Sequence, residues 1–131
     1  MTKKKLISPE FNVLGERTFD ERKAYSDKVK VKYPDRVPVI IQKNETFENL
    51  PELDNSKYLI PKNFMVNDVL ALIRKKMQQV KNKEAIFLFI QTQDDGFILV
   101  PMNYRIDELY KNHASEDGFL YMKYSLENCF G

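Results

Sequence analysis

Val66, Val69, Leu70, Ile73, Met77 and Val80 recur at steps of three and four residues, the period of a helix with one face turned to a core. That face has to be covered, and the runs on either side of it are strand-sized. Residues 37–43 are rich in β-branched side chains and are interrupted by Pro38. The missing N–H of Pro38 predicts a strand at a sheet edge, or one whose donor side faces away from a neighbour. Residues 57–60, before Pro61, read as a second strand and 85–91 as a third. Asp94-Asp95-Gly96 turns the chain into 97–100, predicting a hairpin. Ile106, Leu109, Tyr110 and His113 give a short helix with Asn103 as its candidate cap, and 120–125 alternates as a last strand. Strands on both sides of one long crossing helix make an α+β domain.

Upstream, Thr18 and Glu21 stand at capping-box spacing, a hydroxyl and a carboxylate three residues apart that can each satisfy a free backbone donor. They predict a helix from Phe19 to about Lys32, stopped by Tyr33-Pro34, because a residue before proline avoids the helical region. Its apolar face (Phe19, Ala24, Val29) is thin, so this helix rests on a body that it does not build. The chain therefore divides into 1–18, a short helix or mobile arm; 19–125, one domain; and 126–131, a flexible tail.

At 131 residues and 43% hydrophobic, such a domain can bury a core without disulfides or metals. Cys129 has no second cysteine to pair with, which fits a reducing compartment, and one Cys with one His cannot make a typical structural zinc site. The longest apolar runs, 85–90 and 97–101, are too short to cross a bilayer, and the basic start breaks at Ser8-Pro9 before any signal-peptide core forms. The chain reads as cytoplasmic, and membrane attachment has to come covalently or through a partner.

Net charge is +2, so overall charge selects no partner. The basic residues of 20–32 are interrupted by Asp20, Glu21 and Asp27, the pattern of a solvated helix surface rather than a nucleic-acid face. His113 falls on an apolar helix face, and Cys129 has no ordered acid–base partner. No Gly-rich phosphate loop or paired-carboxylate constellation stands out, so the chain does not read as an enzyme. The tyrosines and phenylalanines follow helix and strand periods and are expected in the core, with Tyr33 and Phe119 partly exposed.

Five segments then occur in order: KYPDRVPVI at 32–40, KYLIP at 57–61, LIRKKM at 72–77, ELYKNH at 108–113 and FLYMKYS at 119–125, with Gly131 beyond them. Together they make the chain, from about residue 19 to 131, resemble the GABARAP kind of ubiquitin-like autophagy modifier. The resemblance implies a ubiquitin-like β-grasp fold with an added N-terminal helical segment, a choice that periodicity alone leaves open. It also implies a modifier whose Gly131 is joined to phosphatidylethanolamine on autophagic membranes, with no other cofactor. Activating and conjugating enzymes would attach the lipid, a deconjugating cysteine protease would remove it, and the protein would move from cytoplasm to autophagosomal membranes. Gly131 suits that chemistry because no side chain crowds its carboxylate during adenylation and thioester formation.

Such modifiers bind cargo receptors and autophagy factors through short peptides with an aromatic residue, two spacers and an aliphatic residue. The resemblance implies that the peptide pairs with an edge strand at 37–43, by β-augmentation. It implies an aromatic pocket from Val29, Pro38, Ile40, Lys57, Leu59 and Phe119, and an aliphatic pocket from Tyr33, Ile60, Pro61, Phe64, Val69 and Leu72. Arg36, Arg74, Lys75 and Lys76 would meet acidic flanks of the motif. Two buried anchors at roughly 1.5–3 kcal/mol each, less the cost of association, suit micromolar affinity. The sequence departs from the family pattern at Tyr25 and Asn55, which stand where an acidic and a basic residue usually contribute to the peptide site.

Overall fold

Thr18 begins the first helix as its spacing predicts. Its hydroxyl accepts from the Glu21 N–H at 3.1 Å, and the Glu21 carboxylate accepts from the Thr18 N–H at 2.9 Å. A computed structural model describes residues 18–44, 57–76, 86–92 and 96–125. Its elements are α1 (Phe19–Lys32), β1 (Arg36–Lys43), β2 (Lys57–Pro61), α2 (Val66–Lys76), β3 (Phe87–Gln91), β4 (Phe97–Leu99), α3 (Ile106–His113) and β5 (Leu120–Ser125). Met77, Val80, Ala85, Asp94, Asp95, Cys129, Gly131 and the segments 1–17 and 126–131 lie outside the described residues, so the expectations placed on them go no further here.

The strands form one mixed sheet in the order β2-β1-β5-β3-β4, with β1 and β5 parallel and the other pairs antiparallel. Side chains alternate across it. Val37, Val39 and Ile41 of β1 join Leu120, Met122 and Tyr124 of β5 and Leu88 and Ile90 of β3 on one face. Val66, Val69, Leu70 and Ile73 of α2 cover that face, with Ile106 and Leu109 of α3. The predicted helical period therefore describes the main core. On the other face Ile40, Phe119 and Tyr121 form a smaller cluster with Tyr25 of α1 and with Phe97.

Four expectations change. The strand at 37–43 is not an edge: β1 lies between β2 and β5, and the edges are β2 on that side and β4 on the other. Pro38 is accommodated in the second way that its sequence allows. The Lys62 N–H donates to the Asp35 carbonyl at 2.9 Å, which fixes the antiparallel alternation, so Pro38 opposite Leu59 points its nitrogen away from β2. Toward β5 it stands one residue before the first pair, Val39 with Leu120, where no donor is called for.

Asn103 does not cap α3. The N-cap is Arg105, whose guanidinium is turned to Asp107 at 2.8 Å, and the Ile106 N–H is satisfied by the Phe64 carbonyl at 2.8 Å. Of the apolar face expected for α1, Ala24 is exposed, and Ser26 is buried beside Val29. Ser26 is drawn in by polar contact, its hydroxyl donating to the Asp117 carbonyl at 2.5 Å. Phe119, expected to be partly exposed, is fully buried under Tyr25, whereas Tyr33 is 38% exposed as expected.

Candidate functional site

The sheet ends in β2 on one side and in β4 on the other, and the residues expected to bind a peptide gather at β2. Because Asp35 and Lys62 form a hydrogen-bonded pair, the alternation turns the backbone groups of Tyr58 and Ile60 toward β1. Those of Lys57 and Leu59 are turned outward, while the carbonyl of Pro61 accepts from the Phe64 N–H at 3.1 Å. A guanidinium nitrogen of Arg36 donates to the Leu59 carbonyl at 3.3 Å, placing a cation on the middle of this edge.

Side chains follow the same alternation. Lys57 and Leu59 lie on the α1 side of the sheet, opposite Ile40 and Pro38 respectively in the β1 register. There the Phe119 ring is stacked on Tyr25 at 6.0 Å between centroids and 7° between planes, and the Lys57 ammonium sits 4.1 Å from the Tyr25 ring centroid. Val29, Pro38, Ile40 and Phe119 are buried, while Lys57 and Leu59 are half-buried at the rim. The six residues expected to line an aromatic pocket thus share one face of the sheet.

On the α2 side Ile60 and Val69 belong to the main core, and Phe64 and Leu72 pack against it half-buried, together with Tyr58. Tyr33 and Pro61 stand at the turn end of the edge, outside that cluster. Tyr33 accepts from the Arg36 N–H at 3.1 Å, and Pro61 pairs with Arg36. Lys76, in the last turn of α2, places its ammonium 5.8 Å from the Tyr58 ring centroid, and Lys75 is exposed. Arg74 is placed differently. It lines a cavity of about 510 Å³ between α2 and the β3–β4 hairpin, with Leu70, Leu88, Leu99 and Met102. That hairpin closes the far end of the sheet from β2.

An extended peptide laid on the outer edge of β2 would alternate its side chains between these two faces. Positions i and i+3 have opposite parity, so an aromatic residue followed after two spacers by an aliphatic one would reach both faces at once. The geometry suits that motif better than one with a single spacer, whose anchors would fall on the same face.

A buried polar node under the aromatic stack escaped the sequence reading. Asp117 is fully buried, and its carboxylate accepts from Arg22 Nε at 2.9 Å, from the Tyr121 hydroxyl at 2.5 Å and from the Phe119 N–H at 3.0 Å. Burial, with the Asp117 charge beside it, raises the pKa of Tyr121 far above the usual phenol range. The node ties α1 to the start of β5 and so fixes the ring of Phe119 beneath Tyr25. In sequence, Glu116-Asp117-Gly118 looks like an ordinary polar turn. In sequence Tyr25 departs from the family pattern by type alone, and nothing local to it announces Phe119 as its stacking partner.

Among the described residues, no group of acidic, His or Cys side chains could hold a metal ion, and no helix is long and apolar enough to cross a membrane.

Comparison with known proteins adds lineage to this geometry. Residues 21–131 match the family described as autophagy protein Atg8, ubiquitin-like. Autophagy-related protein 8e of Arabidopsis thaliana is 39% identical over 113 residues, spanning 86% of this chain and 87% of its own length. Autophagy-related protein 8 of Schizosaccharomyces pombe is 40% identical over 114 residues, spanning 87% of this chain and 88% of its own. A crystal structure of Trypanosoma brucei ATG8 superposes with a TM-score of 0.73 at 34% identity, covering 84% of this chain and 89% of that one.

Proposed function

The chain belongs to the Atg8 family of ubiquitin-like autophagy proteins, and from that premise we propose that it is a lipid-conjugated modifier that displays a peptide-docking edge on autophagic membranes. The observation that carries the docking half is the outward-facing backbone of β2 between two sets of half-buried apolar side chains on opposite faces. The resemblance of the sequence motifs to the GABARAP kind supports lipid rather than a protein lysine as the acceptor.

The conjugating half rests on Gly131, to which the family match extends. Its carboxylate would displace pyrophosphate from ATP to form an acyl-adenylate. A cysteine thiolate of the activating enzyme would then expel AMP, and a conjugating enzyme would take the acyl group by thioester exchange. The amine of phosphatidylethanolamine would attack that thioester, releasing the thiol and forming an amide. All catalytic groups are supplied by partners, and a deconjugating cysteine protease would hydrolyse the amide. The two acyl chains, at about 0.8 kcal/mol per buried CH₂, hold a chain to a membrane more firmly than a mixed basic arm can. The cytoplasmic form would move to autophagosomal membranes on conjugation and recruit motif-bearing cargo receptors.

Cell fractionation after inducing autophagy, with the Gly131→Ala variant beside the parent chain, tests the conjugating half. The parent is expected on membranes with a lipid mass that phospholipase D removes, and the variant without one. Equal membrane recovery with no lipid mass on either would refute conjugation and leave a stand-alone peptide-binding adaptor. Titration of an acidic aromatic-x-x-aliphatic peptide tests the docking half: Leu59→Ala, at the rim, is expected to weaken binding about tenfold, roughly 1.4 kcal/mol.

A further inference from the structure

The ring of Tyr25 already makes the contacts that the aromatic pocket would offer a ligand. Phe119, whose exposure is 0%, is stacked against that ring at 6.0 Å between centroids and 7° between planes. Lys57, at the rim, holds its ammonium 4.1 Å from the centroid of the same ring. A flat ring stacked on an aromatic side chain and facing a cation is the arrangement expected of an aromatic anchor. Val29, another residue of the expected pocket, follows Tyr25 by one helical turn and so shares its face of α1. The ring therefore lies among the residues expected to line the pocket, between floor and rim. Its backbone is held there. Arg22 and Ser26, on either side of it in α1, donate to the Asp117 carboxylate at 2.9 Å and to the Asp117 carbonyl at 2.5 Å. With the helix fixed at this point, the ring can leave Phe119 only by turning about its own side-chain bonds. Tyr25 is half-buried, so part of its surface already meets solvent.

We propose that Tyr25 is an internal ligand of the aromatic pocket: its ring occupies the place of the peptide's aromatic anchor and has to swing aside before that anchor can stack on Phe119. The inference rests on the peptide-docking reading above and adds a closed resting state to it. Two rings cannot share one stacking partner on the same face, so the peptide competes with the protein's own side chain. A pocket that is open in only a fraction of the molecules binds with its affinity reduced by that fraction. The stack and the cation–π contact together suffice to keep the ring in place in about nine molecules of ten. The loss applies to every aromatic anchor and is absent for a peptide that brings none.

Two synthetic peptides, Trp-x-x-Leu and Ala-x-x-Leu within one acidic flanking sequence, test this by calorimetric titration of the parent protein and Tyr25→Ala. The variant is expected to bind the Trp peptide about tenfold more tightly than the parent does, and to gain less than about twofold for the Ala peptide. Unchanged or weaker binding of the Trp peptide would make the ring a wall that the anchor rests against. Equal gains for both peptides would place the effect outside this pocket. Either result overturns the inference while docking stands. Nuclear Overhauser contacts between the Tyr25 and Phe119 rings give a second test in the parent chain alone, which serves if Tyr25→Ala fails to fold. They are expected in the free protein and lost in its complex with the Trp peptide; contacts that persist in the complex overturn the inference. Failure of the Trp peptide to bind parent and variant alike overturns the docking reading itself.

Discussion

Replacing Asp117 by alanine removes the acceptor for three donors at once: Arg22 Nε, the Tyr121 hydroxyl and the Phe119 N–H. Tyr121 is 2% exposed and the Arg22 side chain 12% exposed, so water cannot readily take the place of the carboxylate. Breaking a buried ion pair by removing one partner costs about 3–5 kcal/mol, because the other charge stays buried. An orphaned hydroxyl adds about 1–3 kcal/mol in isolation, but these groups share one site and their costs do not sum. The expected loss is therefore about 4 kcal/mol, a large share of the roughly 5–15 kcal/mol that holds a typical domain. Urea unfolding measures it through the shift in midpoint at constant slope. Amide exchange adds a local test. Because the node joins α1 to β5, the α1 amides should exchange faster in Asp117→Ala than the loss of global stability alone accounts for. A cost below about 1 kcal/mol, or α1 protection falling only in step with the rest of the sheet, would refute the role given to this carboxylate.

Gly118 has φ of +93°, and an added Cβ would stand 2.1 Å from the Ser26 hydroxyl oxygen, so Gly118→Ala is expected to cost about 2–4 kcal/mol by thermal or urea unfolding, and a cost under about 0.5 would refute it. The raised pKa of Tyr121 means that the folded state keeps a proton that the unfolded state releases, so the stability it contributes is present below about pH 10 and is lost as pH rises further. Ultraviolet titration should show this phenol ionising only as the protein unfolds, and Tyr121→Phe should remove that part of the alkaline fall in stability. Arg36→Ala is expected to change stability by no more than about 0.5 kcal/mol while slowing association of acidic peptides and flattening its salt dependence. Stopped-flow traces with the parent's salt slope would show that the Arg36 guanidinium, although it reaches the Leu59 carbonyl, does not guide the peptide.

What the sequence made legible was whatever local chemistry decides. Thr18 and Glu21 cap α1 because three-residue spacing is enough for two short hydrogen bonds. Val66, Val69, Leu70 and Ile73 are buried because a helical period with one apolar face has one stable orientation on a sheet. The motif strings contain five of the six residues expected at an aromatic pocket, Pro38, Ile40, Lys57, Leu59 and Phe119, whereas Val29 lies outside them and periodicity alone could not have named the fold. The misreadings arose where neighbours distant in sequence decide. Pro38 permits an edge strand or one whose donor side faces away from a neighbour, and only the start of the β5 pairing at Val39 selects the second. Phe119 follows a polar turn and looks exposed until Tyr25, from the other end of the chain, is laid across it. Arg74 continues a basic run with Lys75 and Lys76, yet one helical position turns it toward the β3–β4 cavity. Asp117 gave no signal, because its partners come from α1 and from β5.

The parallel pairing of β1 with β5 has a consequence for synthesis. Val39 is among the earlier residues of the domain to be made, and Leu120, opposite it, is among the last. Until Leu120–Ser125 are inserted, β1 and β2 form only a hairpin, which has little independent stability, and Phe119 is not in place beneath Tyr25. A nascent chain therefore holds β1 and β2 without their supporting neighbour until β5 has been made. Strand β2 and the Tyr25 ring thus gain their full support only from the strand that comes last in the order of the described elements.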